Sequence, residues 1–298
     1  MPHDLSIALI AGFGGMLGWG FADFFAKKTI DEIGDILTLA WAGVFGTAVF
    51  LLAVAYERLA EGRSISVPHD PLTWAGFAFF GALQAAVYLF VYNGFGKGQV
   101  AVLNPIFASF SGIVAVISIG FLGEASSVLK VISLCVIFAG IILTSIDPAT
   151  LSFRRISFTR VPGMAEVVAG TVLAAVWTLL WDTFVSGQDW LAYALYMFIC
   201  MTVAVFVYAK AKGLPIRIGG RGVWAFVALI GACETLAYLA ISLGYATTSL
   251  TSIVALISGA FSVPTIILSR LFLKERPNVL QSAGAILIIA GIIALALV

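Results

Sequence analysis

Glu234 is the residue whose position most clearly implies chemistry. It follows Arg221 by 13 residues in an apolar stretch, and 35 uncharged positions separate it from the next charged residue, Arg270. A helix rising about 1.5 Å per residue from Arg221 would carry Glu234 roughly 20 Å along its axis, close to the centre of a membrane span. A carboxylate at that depth costs about 3 kcal/mol and usually faces a cavity. We therefore expect Glu234 to face a polar interior.

Gln84 occupies a matching position, 13 residues after Pro71. Tyr88 follows Gln84 by four residues and Tyr238 follows Glu234 by four, so each tyrosine shares a helix face with its polar neighbour. Two such faces, each with one polar group and one phenol, would suit a site for a small polar or aromatic solute halfway across the membrane.

Three roles for Glu234 remain open at this stage. The carboxylate could bind the ammonium group of an amino acid or amine, could carry a proton that couples transport, or could be a structural hydrogen-bond partner between helices.

Three further aromatic residues complete the candidate site. Trp19 and Trp177 each lie deep inside an apolar stretch rather than at its rim, which indicates either cavity walls or packing against lipid. Tyr92 extends the face of Tyr88 by one more turn. The candidate substrate-binding residues are therefore Trp19, Gln84, Tyr88, Tyr92, Trp177, Glu234 and Tyr238.

The other acidic residues indicate more ordinary roles. Asp23 precedes Lys27 by four residues, which predicts an ion pair at the end of the first span. Glu124 and Glu275 close equivalent stretches and are expected to be interfacial anchors, and Asp182 is expected near the end of its span.

No catalytic, metal or cofactor site is predicted. The motifs HExxH, GxSxG and GxxxxGK[ST] are absent, and both histidines fall in predicted loops. The three cysteines lack CxxC spacing and are expected to be packing residues. The chain is therefore predicted not to be an enzyme or an ATPase, and a receptor or scaffold is the remaining non-transport alternative.

Composition indicates a membrane protein. Of 298 residues, 61% are apolar and only 10% are charged, whereas soluble domains are about 25% charged. The net charge of +1 provides no basic field for nucleic acid, which is therefore excluded as a partner. The predicted partners are a small-molecule solute and the lipid bilayer.

Ten spans are predicted from the uncharged stretches. A fold-back at 244–248 divides the longest stretch into the eighth and ninth spans, because about 52 Å of helix is too long for one. The others cover 5–26, 36–56, 71–96, 98–123, 131–146, 164–184, 190–209 and 277–298. Pro264 and Asn104-Pro105 are expected to kink the ninth and fourth spans. A glycine-rich first span, with Gly18 and Gly20, should allow close packing.

Basic residues are distributed unequally between the two sides. The loops after odd-numbered spans contain 13 lysines and arginines, and the other side contains 3. The positive-inside rule then predicts a multi-pass inner-membrane (plasma-membrane) protein with both termini outside the cytoplasm.

The chain also contains an internal repeat. Residues 121–143 match 272–294 at ten of 23 positions with a shift of 151, and 74–89 match 224–239 at seven of 16 with a shift of 150. This predicts an all-α fold of two five-span repeats, at 1–148 and 164–298, joined by a basic cytoplasmic linker at 149–163. Since five is odd, the repeats are inverted, and such proteins bind solute at the repeat interface.

The ten spans, the duplication, Trp19-Gly20 and the two equivalent segments that end in Glu124 and Glu275 resemble the drug/metabolite transporter superfamily of the ten-helix EamA type. The resemblance implies a secondary transporter or facilitator that moves small metabolites by alternating access. The aromatic midplane looks similar to exporters of aromatic and neutral amino acids (the YddG type). Proton-coupled efflux of cationic or aromatic drugs is the alternative, and a monomer or weak homodimer is expected.

Overall fold

The protein is all-helical throughout the part that the structure describes. The structure is a computed structural model that describes residues 3–97, 103, 106–144, 162–216, 221–272 and 278–295. Most of the predicted linker, residues 149–161, lies outside this part, as does the expected kink at Asn104-Pro105.

Eleven helices are described in this part of the chain, and each of the ten predicted spans contains at least part of one of them. They are α1 (His3–Ile33), α2 (Asp35–Ala60), α3 (Pro71–Lys97), α4 (Phe110–Gly120), α5 (Val128–Thr144), α6 (Met164–Val185), α7 (Trp190–Ala211), α8 (Arg221–Thr247), α9 (Thr251–Gly259), α10 (Ser262–Phe272) and α11 (Val279–Leu295). Seven helical segments are long and apolar enough to cross a membrane, and three shorter apolar ones occupy the remaining predicted spans.

The first helix is longer than the sequence predicted. Helix α1 continues beyond the apolar stretch to Ile33, so the backbone of Lys27 and Lys28 is helical rather than part of a loop. The sequence that follows offers no glycine or proline until Gly34, where a φ of 81° separates α1 from α2. The end of a span and the end of a helix are therefore different positions here.

The ninth span is broken, as Pro264 predicted. Helix α9 ends at Gly259 and α10 begins at Ser262, because proline has no N–H to continue the helical ladder. The hydroxyl of Thr265 donates to the carbonyl of Phe261 (3.1 Å) and to that of Gly20 on α1 (2.9 Å). The break is therefore fastened to the first helix of the other repeat.

The two repeats interlock through equivalent glycines. A Cβ atom at Gly81 on α3 would lie 2.6 Å from the backbone nitrogen of Met201 on α7. Gly231, the repeat equivalent of Gly81, packs in the same way against the carbonyl of Ala42 on α2. Glycine at these positions allows backbones to approach closely, as expected for helices packed within a membrane.

Replacing Gly231 by alanine is expected to destabilise the protein by about 1–3 kcal/mol, because the added methyl group would overlap the backbone of α2. Thermal unfolding in detergent measures this as a lower melting temperature. Gly222 is a matched control on the same helix, because a Cβ atom there meets nothing within 4 Å. Equal melting temperatures for the Gly231→Ala and Gly222→Ala variants would show that the close approach is unimportant.

Candidate functional site

A hydrogen-bonded network joins the two repeats, and it is formed by the two pairs of polar residues that the sequence predicted to face each other. The amide nitrogen of Gln84 donates to the hydroxyl of Tyr238 (2.8 Å), and the hydroxyl of Tyr88 donates to the carboxylate of Glu234 (3.0 Å). The two tyrosine hydroxyls lie 3.4 Å apart. Gln84 of the first repeat thus bonds to the tyrosine of the second repeat, and Glu234 of the second repeat bonds to the tyrosine of the first. A two-fold relation between the repeats produces this crossed pattern of bonds.

A cavity of about 100 Å³ lies beside this network. It has room for several water-sized groups, since a single water needs about 10–15 Å³. Its walls come from both repeats and include six of the seven predicted residues, namely Trp19, Gln84, Tyr88, Tyr92, Trp177 and Glu234. Tyr238 is fully buried behind the wall, where its hydroxyl holds Gln84.

The two central tryptophans face the protein interior rather than lipid. Trp19 and Trp177 both contact the ring of Tyr238 edge-on, with ring centroids 5.9 Å and 6.1 Å away. The indole N–H of Trp177 donates to the carbonyl of Phe80 (3.1 Å), which fixes its ring against α3. The alternative of lipid-facing packing is therefore wrong for this pair.

Two buried polar atoms at the cavity have no partner among the described protein atoms. They are Oε1 of Gln84, which accepts no hydrogen bond, and Nε1 of Trp19, which donates none. Buried polar groups are nearly always satisfied in proteins, so unpaired ones beside a cavity indicate a ligand. The pair offers one acceptor and one donor to a solute.

Asp23 is a second carboxylate at the cavity, and the sequence assigned it another role. It was expected to pair with Lys27, whose side chain lies outside the described part of the chain. Asp23 lines the cavity and is exposed although it lies within the first span, and the described residues include no hydrogen-bond or ion-pair partner for it. The pair with Lys27 stays a prediction. The i,i+4 spacing that predicted a pair fits a cavity wall equally well, because both require only one helix face.

The cavity extends from the network toward one side of the membrane. Asp23 and Tyr92 line it and lie four and five residues before Lys27 and Lys97, on the side that carries most of the basic residues. The sequence also missed Phe107 and Phe261, which line the cavity near the start of the fourth span and at the break in the ninth. The kink predicted at Pro264 was the available signal for Phe261.

The opposite side of the network is filled with aromatic rings. Trp181 and Phe77 are completely buried there, and Trp181 stacks on Trp177 with ring centroids 5.5 Å apart. Phe80 and Phe184 pack edge to face and tilted against the ring of Trp181. This aromatic cluster closes the protein on the side away from the cavity.

Beyond the aromatic cluster, a set of buried polar contacts holds the start of α9. Glu124 accepts from the backbone N–H of Ser252 (2.9 Å) and from its hydroxyl (2.5 Å), and it pairs with Lys130 (2.8 Å). Asp182 accepts from the hydroxyl of Thr251 (2.9 Å). We call these five residues the α9 latch.

The latch corrects two expectations. Glu124, predicted to be an interfacial anchor, has a side chain only 3% exposed and ties the first repeat to a helix of the second. Lys130, one of the three basic residues counted in loops on the less basic side, is buried on α5 beside it. A carboxylate at a helix start is favourable because it accepts from free N–H groups and opposes the helix dipole. Glu275 lies outside the described residues.

These features define a class of protein: a membrane protein built from two inverted five-span repeats around a cavity at their interface. The model of the EamA-like transporter family matches residues 6–146 and again 161–297, so the chain belongs to the EamA-like transporter family. Members of this family are transporters rather than enzymes, and the protein is therefore a membrane transporter of small solutes. The resemblance to the EamA type noted in the sequence is confirmed, and the narrower likeness to exporters of aromatic and neutral amino acids stays a prediction.

The fold is shared with solved structures of distant sequence. One, described only as "Crystal structure of protein", superposes with a TM-score of 0.81 at 17% identity, over 98% of this chain and 97% of its own. At this identity the likeness concerns the fold alone. No curated protein matches the chain significantly.

Proposed function

We propose that the protein is a secondary transporter or facilitator for small solutes that carry an ammonium group, and that it works by alternating access. Aromatic and neutral amino acids, the class expected from the sequence, carry this group. Cationic aromatic drugs, the alternative, carry it too. The observation that supports both is the cavity between the repeats, with Glu234 at its inner end and aromatic rings along its walls.

The arrangement of open and closed sides supports alternating access. The cavity reaches from the network toward the basic side, whereas the aromatic cluster and the α9 latch close the other side. Repeats inverted in the membrane can exchange these two conformations by rocking about the solute. With the predicted orientation, the cavity would face the cytoplasm and would be ready to load a solute for export.

Counterflow in proteoliposomes tests this function directly. Vesicles loaded with an unlabelled aromatic amino acid or aromatic amine should accumulate the same labelled compound, whereas protein-free vesicles should not. We expect saturable, protein-dependent flux for at least one compound of a panel that also contains nucleosides and carboxylic acids without an amine. Flux confined to compounds that lack an amine would contradict the proposal, and absence of all flux would favour a scaffold or receptor.

A coupling role for Glu234 is a second proposal, favoured by its contact with Tyr88. A carboxylate that exchanges a proton for a solute would couple export to the proton gradient. The chain contains no nucleotide-binding motif that would supply another source of energy. The membrane orientation, the inner-membrane location and the monomeric or weakly dimeric state also stay predictions. Fusing a topology reporter to either terminus would test the orientation.

A further inference from the structure

The charges around the cavity point to a narrower substrate class. Resting on the proposed transport function, we infer that the cavity selects singly charged aromatic amines over the zwitterionic amino acids with the same side chain. The ammonium group would lie between the carboxylates of Glu234 and Asp23, and the aromatic ring would lie against the rings of the wall.

The described part of the cavity wall is acidic. Of its described lining residues, Asp23 and Glu234 are acidic and none is basic. Both carboxylates line the same cavity, so they face a shared space rather than separate ones. A single cation between two carboxylates relieves their repulsion, whereas an added carboxylate increases it.

Asp23 is accessible from the cavity, and the nearby Lys97 is already paired with another carboxylate. Asp23 has no described partner and remains accessible at the open end of the cavity. Lys97, at the end of α3, already pairs with Glu166 (2.5 Å) and does not line the cavity. The charge of the wall is therefore not neutralised from this neighbouring helix end.

Few hydrogen-bond donors are left for a solute carboxylate. The hydroxyl of Tyr88 donates to Glu234, that of Thr178 to the carbonyl of Ala174 (2.9 Å), and the indole N–H of Trp177 to Phe80. The remaining described donors include the indole N–H of Trp19, which already interacts with Glu234, and the hydroxyl of Tyr92, and both are uncharged. A solute carboxylate would therefore meet neutral donors and no positive charge among the described lining residues.

The aromatic rings of the cavity wall can bind both the ring and the ammonium group of an aromatic amine. Trp19 contacts Phe261 with ring centroids 6.5 Å apart, and Tyr88 contacts Tyr92 at 5.9 Å. Aromatic faces attract ammonium groups through cation–π interactions and bury apolar rings. Oε1 of Gln84 can also accept a hydrogen bond from the ammonium.

Matched compounds that differ only at the carboxylate test the inference. Counterflow and direct binding to the purified full-length protein would compare 2-phenylethylamine with phenylalanine, and tyramine with tyrosine. Phenylalanine methyl ester is the size control, because it keeps the bulk at the α-carbon but carries a net positive charge. We expect the amines and the ester to bind at least tenfold more tightly than the zwitterions.

Variants of Asp23 test its part. Asp23→Asn should weaken amine binding about tenfold and reduce the ratio of amine affinity to zwitterion affinity. Asp23→Glu should retain that ratio. Asp4→Asn, at the exposed start of the same helix, should change neither quantity. Melting temperatures confirm that each variant folds.

The possible failures are distinguishable. Equal binding and flux for phenylalanine and phenylethylamine would overturn the selectivity but leave the transport function standing. An Asp23→Asn variant that binds amines normally would overturn the two-carboxylate site. Selective amine binding without flux would support the site and contradict the transport proposal, and no binding by any of these compounds would overturn both.

Discussion

Replacing Glu234 by glutamine is expected to reduce the flux of ammonium-bearing solutes at least tenfold. The change removes the charge at the inner end of the cavity but keeps an oxygen that can accept from Tyr88. Tenfold corresponds to about 1.4 kcal/mol, and hydrogen bonds to charged groups contribute about 1.5–3 kcal/mol. Glutamine is also tolerated in this setting, since Gln84 occupies the equivalent position in the first repeat.

The three roles left open for Glu234 predict different results. If it binds ammonium, Glu234→Gln weakens solute binding and lowers both counterflow and gradient-driven uptake. If it carries the coupling proton, counterflow persists while uptake driven by a pH gradient is lost. If it is structural, the melting temperature falls while the affinity of the protein that remains folded is unchanged. We expect the first result.

A double exchange provides the sharpest control. Gln84→Glu combined with Glu234→Gln moves the carboxylate from position 234 to the equivalent position 84 of the first repeat. There it would accept a hydrogen bond from Tyr238 instead of Tyr88. We expect this variant to recover part of the flux lost in Glu234→Gln. Recovery would show that charge at the network matters, and a flux no higher than that of Glu234→Gln would contradict the equivalence of the two positions.

The polar network was predictable from the sequence because two independent patterns agreed. The depth of Gln84 and Glu234 in the membrane was inferred by counting residues along each helix. That the two residues face each other was inferred from the internal repeat, in which they are equivalent. Tyr238 shows the limit of this reasoning. Its spacing from Glu234 fixes the helix face, but that face is wide enough for one residue to line the cavity and the next to lie behind it.

Glu124 was assigned wrongly for a different physical reason. It lies near a span end, where the sequence offers an ordinary interfacial role for a carboxylate. Its actual role depends on which helix of the other repeat comes close, and this is a property of packing rather than of local spacing. Glu124 reaches Ser252, 128 residues away in sequence.

The α9 latch leads to the second major prediction, which concerns the closed side. Replacing Thr251 by valine and Ser252 by alanine removes both hydroxyl contacts to Asp182 and Glu124 but leaves the Glu124–Lys130 ion pair in place. Each lost bond has a charged acceptor and is worth about 1.5–3 kcal/mol. We expect the double variant to open this side at least tenfold more often.

Thiol labelling can measure that opening. Cys135, Cys200 and Cys233 are first replaced by alanine or serine, and a single cysteine is introduced at Val185, which is completely buried on the closed side. The rate of maleimide labelling should rise at least tenfold when the two hydroxyls are removed. Ser258→Ala is the matched control, since the described partner of this buried serine of the same helix is the carbonyl of Ala255, also on α9.

The sequence indicates why this prediction applies to one side. At the repeat-equivalent positions of Thr251 and Ser252 the first repeat has Val100 and Ala101, and Lys130 is matched by Gln281. Neither valine nor alanine has a hydroxyl group. The side chains at these equivalent positions of the first repeat therefore cannot form the hydroxyl contacts that hold α9. The latch should therefore favour the conformation in which its own side is closed. Labelling of Val185→Cys that is unchanged by the double variant would show that the aromatic cluster alone keeps this side shut.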